Sequence, residues 1–85
     1  MKLSNRELLI IGGWLSEMGL EPDESCYPAM QFYGHERRWR ITDTLEIQMA
    51  ESDFDRWANS VECSEHLPRK RKDVERLVRK MIAII

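Results

Sequence analysis

The stretch MQFYGHERRWRITDTLEIQM, residues 30–49, decides the fold. Met30 and Phe32, then Trp39 and Ile41, then Leu45, Ile47 and Met49 stand at every second position, with polar side chains between them. A period of two places such residues on one face of an extended chain. Strands are therefore predicted at about 28–33, 37–42 and 44–50, with turns at Gly34-His35 and Thr42-Asp43-Thr44. Folding about Asp43 sets Arg40 opposite Glu46 as a cross-strand ion pair on the solvent side.

On either side of this stretch the period is helical. Ser4 and Glu7 form a capping box, Leu3 and Leu8 a hydrophobic staple, and Leu8, Ile11, Trp14, Leu15 and Met18 one stripe. Gly19 is a left-handed stop that lets Leu20 fold back on Leu15, so a helix is predicted over about 4–18. Gly12-Gly13 weakens it by about 1 kcal/mol per residue against alanine. That bare backbone serves close packing of a strand or helix, or a hinge or phosphate approach.

Downstream, Ser52 and Asp55 cap a predicted helix over about 52–62, with Phe54, Trp57, Ala58 and Val61 inward. Asp53 and Asp55 suit its positive N-terminus. Cys63 to Leu67 reads as a break. Pro68 then opens a last helix over about 68–84, on which Val74, Leu77, Val78, Met81, Ile82 and Ile85 line one side. The expected architecture is α+β, one small domain of order α-β-β-β-α-α, a three-stranded antiparallel sheet with helices packed on one face. Trp14, Trp39 and Trp57 are expected to share its core. The order up to the second helix resembles double-stranded RNA-binding domains in outline. It departs from them in its extra helix, in lacking a Gly-rich loop into a Lys-Lys-x-Ala-Lys run, and in its acidic body, so the chain is not assigned to that family.

Eighty-five residues suit a single core. No apolar run approaches the roughly 18 residues a membrane span needs, and Leu8–Ile11 behind Arg6-Glu7 is no signal-peptide core. A cytoplasmic location with reduced cysteines is expected. Small charge-divided domains of this kind are common in phage and mobile-element genomes, and such an origin is expected here.

The charge is strongly divided. Residues 69–85 hold seven of the 13 basic side chains and two acids, while the first 68 residues hold the other 13 acids. Arg69, Lys70, Lys72, Arg76, Arg79 and Lys80 are the candidate surface for a partner, either another protein or nucleic acid; the acidic body is a third candidate counterpart. Asp73–Arg76 and Glu75–Arg79 are the expected local ion pairs. Glu17, Glu21, Asp23 and Glu24 form an alternative acidic patch. Cys26, His35, Cys63 and His66 are the weak candidates for a metal, since Cys63-x-x-His66 has a spacing that can share one ion. No cofactor, metal or catalytic constellation is expected, because no nucleophile, acid–base pair or phosphate loop has its usual context. The expected function is that of a small regulator or inhibitor acting by protein–protein contact, with nucleic-acid binding by the basic last helix as the alternative. The chain is expected as a monomer or as a homodimer through the C-terminal helix.

Overall fold

Residues 5–17 become helical because both ends are satisfied locally. In a computed structural model that describes residues 3–23, 30–51 and 61–84, Asn5–Glu17 forms helix α1. The Ser4 hydroxyl accepts from the Glu7 N–H and the Glu7 carboxylate accepts from the Ser4 N–H, as the capping box requires. At the other end Gly19 takes φ +88°, which sends the Leu20 N–H to the Leu15 carbonyl and the Gly19 N–H to that of Ser16. Leu15 and Leu20 are both fully buried. The helix runs unbroken through Gly12-Gly13. Gly12 lies on the Phe32 ring, and a Cβ added there would make ordinary contact at 3.7 Å, so this packing does not require glycine.

The sheet has five strands and not three. Glu21–Pro22 is β1, Gln31–Gly34 β2, Arg37–Ile41 β3, Glu46–Glu51 β4 and Val61–His66 β5, all antiparallel and ordered as in the sequence. The second helix, α2, spans Arg71–Ile82 with Lys70 as N-cap, so Pro68 precedes it and does not open it. Residues 52–60 of the predicted 52–62 helix, with Trp57, lie outside the described residues; Val61 and Glu62 belong to β5. The stretch expected as a break, Cys63 to Leu67, is mostly that same strand.

Register follows the turns. His35 and Glu36 occupy the left-handed region at φ +55° and +62°, which makes a two-residue hairpin between Gly34 and Arg37. The turn therefore falls one residue beyond the expected Gly34-His35. In the next hairpin Leu45 stands at φ +59° while its N–H bonds the Thr42 carbonyl. This three-residue loop moves the register by two positions from one centred on Asp43. Arg40 consequently faces Gln48, not Glu46, and donates from Nε to its Oε1 at 2.7 Å.

One face of the sheet carries Phe32, Trp39, Ile41, Ile47 and Met49, which join Leu8, Ile11 and Leu15 of α1 and Val74, Val78 and Met81 of α2 in one core. Both described helices thus lie on the same face. Trp39 is fully buried and Trp14 packs against the core while half-buried. The tightest point is at Gly34. A Cβ there would stand 2.2 Å from the Gly19 carbonyl oxygen, and the Trp39 indole donates to the Gly34 carbonyl at 2.9 Å.

Two substitutions separate these backbone demands. Gly34→Ala is expected to cost about 3 kcal/mol, because the obstacle is backbone and cannot swing away. Glu36→Gly is expected to gain about 0.5–1 kcal/mol by removing a left-handed non-glycine from an exposed turn. Urea denaturation of both variants checks the opposite signs.

Candidate functional site

The basic C-terminal stretch divides into two sets. Arg69 bonds the Glu7 carboxylate at 2.5 Å, and Arg71 bonds both Glu17 and Glu75. The loop entering α2 is thereby tied across α1, and part of the charge split is satisfied inside the molecule. Glu75 takes Arg71 and not the expected Arg79, while Asp73 stands 4.0 Å from Arg76. These pairs lie at the surface, Glu75 being half-buried, and such contacts contribute little to stability.

Lys70, Lys72, Arg76, Arg79 and Lys80 are exposed. Lys72, Arg79 and Lys80 make no ion pair with any described residue. On α2 this basic face lies opposite Val74, Val78 and Met81, which are fully buried. The apolar stripe of α2 is thus consumed within the chain, and Ile84 is the large apolar residue still exposed there among the described residues.

The acidic group gathers where α1 passes into β1. Glu17 is held by Arg71, Glu21 is exposed opposite Tyr33, and the Asp23 N–H bonds the Gln31 carbonyl. Glu24 lies outside the described residues, as does Cys26.

The metal candidates do not converge. Cys63 and His66 are three apart on a strand, where the period of two turns them to opposite faces. Cys63, a free thiol, packs on the core beside Met49, whereas His66 lies opposite Glu46 on the outer face. Burial and the nearby Glu65 push the Cys63 thiol up, partly offset by Lys80. His35 bonds the Met18 carbonyl through Nε2 at 3.0 Å. Among the described residues no three His, Cys, Asp or Glu side chains are grouped to hold a metal ion.

A polar ladder on the outer face of the sheet had no counterpart in the sequence reading. Arg40 donates to Gln48, Gln48 to the Ser64 hydroxyl at 3.3 Å, and Ser64 to Glu46 at 2.8 Å; Thr44 bonds the other Glu46 oxygen at 2.9 Å. A shallow cavity of about 440 Å³ opens beside it, lined by Gln31, Arg40 and the Thr42–Thr44 turn. Ser64 first, then Thr44, hold the Glu46 carboxyl below its ordinary range. Its bonds therefore favour the fold above the ordinary carboxylate pKa and are lost as pH falls through the lowered value. Ser64→Ala is expected to raise the Glu46 pKa toward the ordinary value in an NMR titration, while that of Glu7 stays depressed through its capping bonds.

No described helix is long and apolar enough to cross a membrane. No family model, no curated protein and no solved structure matches the chain.

Proposed function

We propose that the chain is a non-enzymatic, cytoplasmic binding protein that meets an acidic surface on another protein through the outer face of α2. The observation that carries this reading is the division of the basic residues. Arg69 and Arg71 face carboxylates of their own chain, whereas Lys72, Arg76, Arg79 and Lys80 are presented together on a helix anchored by a fully buried opposite side. A rigid helix that displays cations needs little ordering on association.

Nucleic-acid binding is the weaker reading. Its strongest signal, the run Arg69-Lys70-Arg71-Lys72 at a helix start, has two of its four charges engaged by Glu7 and Glu17. A small regulator or inhibitor, acting by occupying a partner's acidic groove, fits this charge distribution.

The triple variant Lys72→Glu, Arg76→Glu, Lys80→Glu tests the assignment. Its melting temperature should stay close to that of the parent, because all three side chains are exposed and the one ion pair among them and the described residues, Arg76 with Asp73 at 4.0 Å, is a surface contact. Affinity capture from the native host should lose a protein that the parent retains. Retention of the same proteins by the folded variant would move the site off α2. Tight parental binding to a generic DNA or RNA duplex, with a steep fall in affinity as salt rises, would select the nucleic-acid reading.

A further inference from the structure

Helix α1 carries a second stripe that the core does not use. Arg6, Ile10, Gly13 and Glu17 recur at intervals of four, three and four, and so fall in one line along the helix. This line lies away from Leu8, Ile11 and Leu15, which face the core. All four positions are exposed, Ile10 at 47%, and its neighbour Leu9 is 51% exposed. A Cβ placed on Gly13 would meet nothing within 4 Å, so the helix backbone is bare to the outside at that turn. A glycine in mid-helix weakens the helix relative to alanine. A Cβ on Gly12 would meet the Phe32 ring in ordinary contact, whereas one on Gly13 would face open space.

The stripe is complementary to itself. With a copy of the helix set antiparallel about a two-fold axis between Ile10 and Gly13, each Ile10 falls on the bare Gly13 of the other copy. The same axis brings Arg6 of each copy to Glu17 of the other. Arg6 makes no ion pair with a described residue. Glu17 gives only its Oε2 to Arg71, which leaves Oε1 for a second guanidinium. A knob at Ile10, a hole at Gly13 and opposite charges at the two ends are what an isologous helix pair requires.

We infer that this stripe is a homodimerisation surface, whose occupant is α1 of a second copy of this chain, antiparallel, with Ile10 seated on Gly13 and Arg6 paired with Glu17. Thirteen residues give about 20 Å of helix contact, at the low end of interface sizes, so the dimer is weak and concentration-dependent. The surface uses none of Lys72, Arg76, Arg79 and Lys80, so either assignment stands or falls without the other.

Sedimentation equilibrium of the full chain from about 5 µM to about 1 mM spans the affinity of such a weak dimer. The parent's mass should rise from 10.1 kDa toward twice that value. Gly13→Leu fills the hole while facing open space in the monomer, so it should melt no lower than the parent yet remain at 10.1 kDa throughout. Arg6→Glu should weaken dimerisation at low salt and do so less at high salt, where the pair is screened. A parent that stays monomeric over the whole range overturns the inference, and so does a Gly13→Leu variant that dimerises as tightly as the parent.

Discussion

The fold depends on one backbone-to-backbone contact, where Gly34 at the end of β2 lies against Gly19 at the end of α1. An added Cβ at position 34 would sit 2.2 Å from the Gly19 carbonyl oxygen. Glycine is required there for closeness, since its φ lies outside the left-handed region, whereas Gly19 is required for φ +88°. The two glycines set the distance between helix and hairpin, and their neighbours fix it. Leu20 returns to Leu15, the Trp39 indole bonds the Gly34 carbonyl, and His35 reaches the Met18 carbonyl. Helix, hairpin and central strand therefore meet within a few residues of one another.

Much of this was legible because the signals are local. Ser4, Glu7 and Gly19 carry the ends of α1 in their own side chains or lack of one, and alternation over residues 30–49 fixes three strands. The rest was hidden for physical reasons. In β5 Cys63 and Glu65 stand opposite the core residues Met49 and Ile47, and a register shift sets Val61 opposite Ala50, so the strand lacks the apolar alternation that would reveal it. Two-residue β1 is too short to show a period. His35, Glu36 and Leu45 adopt positive φ without being Gly or Asn, so neither hairpin loop announces its type, and the second register differs by two residues from a turn centred on Asp43.

The site was legible in its charges but not in its pairings. Spacing alone put Cys63 near His66, and that holds for a helix or a metal knuckle but fails on a strand. No local rule could show that Arg69 and Arg71 reach Glu7 and Glu17, which are more than 50 residues away in sequence. That connection changes the meaning of the basic tail: its first charges are paired within the chain, whereas Lys72, Arg79 and Lys80 make no ion pair with any described residue.

The order of the strands also bears on how the chain assembles. Each strand pairs with its neighbour in sequence, so sheet formation closes short loops, at small entropic cost, one hairpin after another. Among the described elements, α1 and α2 meet across most of the chain, as Arg69 and Glu7 do. Such a topology favours a sheet that forms early from nearby contacts and a core completed when the last helix docks. Since α2 follows every described strand in the chain, synthesis postpones burial of Trp39 and Met49 beneath it until α2 itself has been made.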